Sequence, residues 1–476
     1  MPGALTALRD EPVHRVLRRP SDGVFSECPA EPAVNPCSGD PSERDPAVVP
    51  DLPVVAYVLL WFPLSSETFI FREVAELISL GMPIRIYTLY GKRLRGCSSE
   101  MRAFPGTVQR MGIRALGPIF YAFFRALGRD PRTVWRLLRQ GFFRRMRNLE
   151  SLGENLWCFL AGFFLAEMCL DQGVKLIHAP WANGPATAAW VASRLTGIPF
   201  AFTGRAGDIY PEDGLLHEKS ADALFIRTNN HANVEWLRRF CPPGQEHKVH
   251  AVYNSLTFKP KGQCAVRMAP PYRLLAVGRF ARTKGFPDLM TAMARLKREN
   301  VPVSLTLVGD GRWRHKLVRM RQRLGLQQIV SMPGFIPHDQ ICDFMLNHDL
   351  LIMPSVVHVN GDRDGIPNVI MEALSHGMPV IATDVCGIGE VVRNGETGML
   401  IPQRDPRTLA DAIRYMLAHR QEALNMARAG RALVQELFDG ERNIAELLRL
   451  YTEECSRYWR TVSDDSVARS ATKGHI

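Results

Sequence analysis

Along residues 54–401, short and mainly apolar runs alternate with amphipathic stretches of helical period. The apolar runs fall at 54–61, 84–89, 175–178, 200–203, 223–228 and 249–254, then at 272–277, 304–308, 330–335, 349–354, 379–382 and 396–401. Runs with little polar alternation suit parallel strands buried on both faces, and the stretches between them, such as 67–77, 185–195, 233–240 and 286–298, suit the covering helices. Strand and helix in alternation predict doubly wound α/β sheets. The pattern breaks at the polar, proline-containing segment 259–271, which reads as a linker, and restarts at Tyr272. Domains are therefore expected over 51–258 and 272–442, with a closing helix over 443–460. Residues 1–50, rich in Pro, Ser and charge without an apolar period, and the tail 461–476 are expected to be disordered. At 476 residues the chain is too long for one ordinary core, which agrees with more than one domain.

The stretch Asp349 to Asp384 carries the most chemistry. It reads as strand, loop, helix and strand, with Pro367 in the first helical turn and Gly377 at the stop. Asp364 lies in the loop at the carboxyl end of a strand and Glu372 one to two turns into the following helix, so both face the crevice where open α/β sheets bind ligands. Gly365, Ile366, Pro367 and Asn368 lie between them, and the free N–H groups of the first turn suit an anion such as a diphosphate. A carboxylate beside phosphates accepts from sugar hydroxyls while its charge repels an anion. Arg279 and Lys284, five residues apart in the loop after another strand, can converge on one diphosphate and offset the charge that builds on a leaving nucleotide. These features together read as a nucleotide-sugar pocket.

The acid-x7-acid spacing of Asp364 and Glu372, with the G-R-x4-K-G pattern around Arg279 and Lys284, resembles the retaining family 4 glycosyltransferases, with the loop 62–81 similar to bacterial exopolysaccharide and colanic-acid-type members. The resemblance covers roughly residues 52–459 and is strongest over 273–400. It implies a GT-B fold, two Rossmann-like domains facing a central cleft, with the last helix crossing back to the first. It also implies transfer of a sugar from a nucleoside diphosphate to a hydroxyl with retention and without a metal. In that family the first acid contacts the donor sugar and the second clasps the ribose, which assigns those roles to Asp364 and Glu372. The family usually has Glu at the first position, and Asp364 is one methylene shorter. In that family the loop corresponding to the one after 330–335 usually lies beside the nucleotide base.

On the acceptor side the resemblance places Ser65, Ser66 and Glu67 at the cleft, with a helix N-cap as the alternative role. His178 and Asp208 follow further strands and are candidates for the same pocket. Arg205 stands where the family has a His; it keeps five donors and a permanent charge but cannot act as a base. Two rival readings remain open: a non-catalytic nucleotide-sugar-binding partner subunit, and a metal-dependent transferase using the D-x-D triplet Asp362-Arg363-Asp364.

Charge adds a location. The net charge is +11, and residues 102–150 hold eleven arginines against Asp130 and Glu150, interleaved with aromatics including Phe120, Tyr121, Phe124 and Trp135. Basic amphipathic helices of this kind suit an anionic membrane surface and a lipid-linked or glycan acceptor. No recognition motif for nucleic acid accompanies the charge. Ten cysteines without zinc spacing, no apolar leader and no apolar run beyond 156–166 point to a cytoplasmic protein held peripherally at the inner face of the cell membrane.

Overall fold

A computed structural model describes residues 52–64, 67–91, 97, 99–142, 152–211, 214–255 and 268–473. The expected N-terminal tail, Ser65 and Ser66, the end of the arginine run beyond Phe142 and most of the linker lie outside the described residues.

Two parallel sheets form. The first contains β1 (Val55–Leu59), β2 (Ile84–Thr88), β3 (Val108–Arg110), β4 (Leu176–Ala179), β5 (Phe200–Gly204), β6 (Ile226–Thr228) and β7 (Val249–Ala251), in the order 3-2-1-4-5-6-7. The second contains β8 (Tyr272–Val277), β9 (Val303–Val308), β10 (Val330–Gly334), β11 (Leu350–Met353), β12 (Val380–Thr383) and β13 (Met399–Ile401), in the order 10-9-8-11-12-13. Strand order reverses once in each sheet: β1 pairs with both β2 and β4, and β8 with both β9 and β11. Every side chain of β1, β4, β5, β11 and β12 is buried, as their unbroken apolar character requires for strands covered on both faces.

The apolar run 156–166 lies within the helix Leu152–Asp171, the one helix among the described residues long and apolar enough to cross a membrane. It packs against the helix Gly184–Thr196 so closely that a Cβ on Gly162 would sit 2.8 Å from the Ala188 carbonyl oxygen. The helix is thus core, as the sequence suggests.

The closing helix differs from expectation. It runs from Gly440 to Lys473, through the segment expected to be a disordered tail. The sequence has neither glycine nor proline between Gly440 and Gly474, so nothing stops it earlier. Its residues Ile444, Leu447, Leu450 and Tyr451 are buried against Tyr57, Phe71 and Val74 of the first half. At about 1.5–3 kcal/mol per buried side chain, this docking is a major tie between the end of the chain and its first sheet.

Candidate active site

In open α/β sheets a crevice forms where strand order reverses, because the two loops there leave in opposite directions. Here the β1 and β4 loops of the first sheet and the β8 and β11 loops of the second border one cavity of about 610 Å³. Glu67 and Phe69 enter from beyond β1 and Trp181 from beyond β4. Arg279 and Lys284 enter from beyond β8, and Asp364, Asn368 and Glu372 from beyond β11. The strands themselves lie apart in sequence; topology makes them neighbours.

The two loops of the second sheet are joined. Gly285 has φ +60°, and a Cβ there would fall on the carbonyl oxygen of Pro354. Only glycine lets the β8 loop pass this close to the β11 loop. The crossing is fastened by Val356 N–H donating to Thr283 O at 2.8 Å, and the β11 loop is held from its other side by Thr383 Oγ1 of β12 donating to Ser355 O at 2.5 Å. It sets Lys284 Nζ 3.0 Å from Asp364 Oδ1, while Ser355 Oγ donates to Asp364 Oδ2 at 2.5 Å. The two residues assigned separately to phosphate and sugar are therefore one ion pair. An ammonium has three donors, so Lys284 can keep Asp364 and still reach a phosphate oxygen.

Glu372 lies on the helix Asn368–Ser375, almost wholly buried, with Pro367 as N-cap in extended conformation and Gly377 past the end at φ +72°. Arg279 is exposed in the β8 loop. Phe335 and Ile336, in the loop after β10, also line the cavity.

On the opposite wall Glu67, not Ser66, is the N-cap of the helix Thr68–Ser79. Burial pushes its carboxyl up to about 7, against the opposing effects of a hydrogen bond from Trp181 and the charge of Arg205. Arg205 is only 5% exposed and borders a smaller adjoining cavity of about 260 Å³ with Asn229, Asn254 and Arg363. It donates to Pro180 O at 3.3 Å and Asn254 Oδ1 at 3.0 Å, under the rings of Phe69 and Trp181. Burial pushes its guanidinium down to about 10, which leaves it charged at neutral pH.

Two acceptor-side candidates are not in the pocket. Asp208 uses both carboxylate oxygens on backbone N–H groups, Oδ1 on Arg205 at 2.7 Å and Oδ2 on Ala182 at 2.5 Å, so it ties the β4 and β5 loops together from behind. His178 is fully buried, 3.2 Å from Thr203 Oγ1, and packed against Tyr57, Phe225 and Tyr451. Strand alternation explains this: His178 belongs to β4 itself, not to the loop, and its side chain enters the layer under the closing helix. Burial pushes it down to about 3, so it is neutral there. Beside it lies a buried network absent from the sequence reading: Glu73 pairs with Arg227 and accepts from Tyr57 Oη at 3.0 Å, and Tyr57 and Tyr451 share a 2.6 Å hydrogen bond.

The acids of the D-x-D triplet face different cations. Asp362 Oδ2 lies 3.5 Å from Arg282 Nε, while Asp364 takes Lys284. Burial raises the Asp362 carboxyl, partly offset by Arg282.

The description "Glycosyl transferases group 1" matches residues 268–433, which hold Arg279, Lys284, Asp364 and Glu372. Within the second half of the chain, residues 268–433 are thus similar to the glycosyl transferases group 1 family. The chain is 26% identical over 419 residues to the putative colanic acid biosynthesis glycosyltransferase WcaL of Escherichia coli, covering 83% of this chain and 99% of that protein. It is 29% identical over 181 residues to the amylovoran biosynthesis glycosyltransferase AmsK of Erwinia amylovora, 37% of this chain and 44% of that one. Among solved structures, a glycosyltransferase from Rickettsia africae aligns with TM-score 0.63 at 16% identity, over 85% of this chain and 99% of that one. HepE of Anabaena, solved in complex with UDP and glucose, aligns with TM-score 0.59 at 16% identity, over 83% and 98%. The architecture is GT-B, with the second sheet supplying the cationic and acidic wall of the cleft and the first sheet supplying Glu67 and Trp181.

Proposed function

We propose that this protein transfers a sugar from a nucleoside diphosphate to a hydroxyl acceptor with retention of configuration, in exopolysaccharide biosynthesis at a membrane surface. The observation that carries the reading is the cleft itself, where Arg279 and the Lys284–Asp364 pair face Glu67 across one cavity with Glu372 at its side. The names of the colanic acid and amylovoran relatives support the process. In this reading the bond between the anomeric carbon and the diphosphate breaks and the nucleotide leaves with the electron pair. Arg279 and Lys284 meet the charge that develops on it. The acceptor oxygen bonds to the same face of that carbon, and its proton passes to the departing phosphate oxygen. Glu372 accepts from ribose hydroxyls, Asp364 holds the sugar, and Glu67 faces the acceptor. The chemistry is complete without a metal, because fixed cations do what a divalent ion would.

A panel of UDP- and GDP-sugars, screened by thermal denaturation, tests the binding half. The true donor at about 100 times its Kd stabilises the fold by about 2.7 kcal/mol. Release of nucleoside diphosphate on adding acceptor tests the transfer half. The rival, a non-catalytic subunit, is favoured by Arg205 being enclosed by Phe69 and Trp181, and it predicts stabilisation without release.

A further inference from the structure

The helices Leu116–Arg129 and Pro131–Phe142 cover the first sheet and expose an unusual surface. In the first of them Ile119 and Ala122 face the core, and the opposite pole carries Phe120, Tyr121 and Phe124, which are 50%, 65% and 64% exposed. Spacings of one, three and four residues put those three rings on one outward face. In the second helix Val134 and Leu137 face the core, and the outward pole carries Trp135, 68% exposed, among Arg132, Arg136 and Arg139. An outward helix pole is normally charged or polar, and clustered exposed rings mark a contact surface.

The charges identify the contact. Arg132, Arg136 and Arg139 make no ion pair among the described residues. Arg125, by contrast, turns aside to Glu167 at 2.7 Å. Asp130, the one acid at the junction of these two helices, is used as a cap, its Oδ1 accepting from Thr133 N–H at 3.0 Å, with the charge of Arg136 nearby. Rings that enter an acyl boundary beside exposed guanidinium groups held in no ion pair match an interface of anionic headgroups over hydrocarbon.

We propose that this pole is the membrane-docking face of the protein, with Phe120, Tyr121, Phe124 and Trp135 inserted into the headgroup–acyl boundary of an anionic bilayer and Arg132, Arg136 and Arg139 on its lipid phosphates. The proposal deepens the membrane element of the functional reading, but its geometry is independent of transfer, so it is tested by binding.

The test is co-sedimentation of the full chain with vesicles of phosphatidylcholine alone and with 30% phosphatidylglycerol, roughly the composition at which an anionic surface potential is well developed. Sedimentation is expected with the anionic vesicles at low salt and weakly with the neutral ones. The variant Arg132→Gln/Arg136→Gln/Arg139→Gln loses about 100-fold in partition to anionic vesicles, about 5-fold per charge. The variant Phe120→Ser/Phe124→Ser/Trp135→Ser loses at least about 10-fold on both compositions. Because these side chains are exposed, both variants keep the unfolding temperature and the nucleotide-sugar stabilisation of the parent. Loss of that stabilisation in the parent too would count against the functional reading and leave this face standing. Failure of the parent to sediment at low salt overturns the proposal, as does unchanged partition of the aromatic variant. A dimer dispersed by the aromatic variant, or equal affinity for a random single-stranded oligonucleotide, assigns the face to another occupant and equally overturns it.

Discussion

Gly285→Ala separates conformational strain from site geometry. Gly285 and Gly395 both have positive φ, +60° and +77°, so alanine at either position meets the left-handed penalty of about 1–2 kcal/mol. At Gly395 an added Cβ meets no atom within 4 Å, and the cost ends there. At Gly285 the Cβ lands on the Pro354 carbonyl, so the β8 and β11 loops must part by about 1 Å or more before ordinary contact distance is restored. That movement opens the 3.0 Å Lys284–Asp364 contact. A misplacement of about 1 Å between reacting groups costs about 100-fold in rate. Both variants should lose a few degrees in Tm, about 2–4 °C per kcal/mol for a domain of this size, with Gly285→Ala the larger loser. Nucleoside diphosphate release under saturating donor should be near parental for Gly395→Ala and at least about 100-fold slower for Gly285→Ala. Equal rates in the two variants would refute the argument that the Gly285 crossing positions the site.

The remaining predictions concern protons, metal and the buried network. Glu67 has its folded carboxyl raised to about 7 from an ordinary 4.5, so its contribution favours the fold below pH 4.5 and is lost as pH rises through 7. Glu67→Gln should therefore gain Tm relative to the parent above pH 7 and lose that advantage towards pH 4.5; a gap independent of pH would show that Glu67 does not titrate there. Transfer should persist in excess EDTA, because Asp362 and Asp364 are each held by a cation; collapse in chelator with recovery in manganese would favour the D-x-D reading. Arg227→Met, which leaves Glu73 buried without its partner, should cost about 3–5 kcal/mol in urea unfolding, and a loss below 1 kcal/mol, roughly the surface-pair range, would mean the pair is not buried in solution.

Much of the fold was legible because buried parallel strands leave unbroken apolar runs, and twelve of them stand out by eye. The short strand Val108–Arg110 did not, since it lies at a sheet edge and is only partly buried. In the site, residues adjacent in sequence were easier to read than residues joined by topology. Asp364 and Glu372 share one loop and helix, whereas the Lys284–Asp364 contact depends on β8 and β11 being neighbours. His178 faces the layer beneath the cleft because alternation along β4 decides which side a strand residue takes, whereas Asp208, on the short helix 206–209 after β5, turns its carboxylate back onto the N–H groups of Ala182 and Arg205. Trp181, three residues after His178, had the better signal: it follows the end of β4 in the loop at the strand-order reversal.

Sugar transfer by this cleft is tested by donor turnover in the parent, Lys284→Ala and Glu372→Ala, each assayed for nucleoside diphosphate release and for donor affinity. Removing the hydrogen bonds of a charged group costs about 1.5–3 kcal/mol, so Glu372→Ala should weaken donor binding by about 10–100-fold. Lys284→Ala should bind donor with less change and lose rate by at least about 100-fold. Full transferase activity in either variant, or a parent that binds donor and never releases the diphosphate, would contradict it.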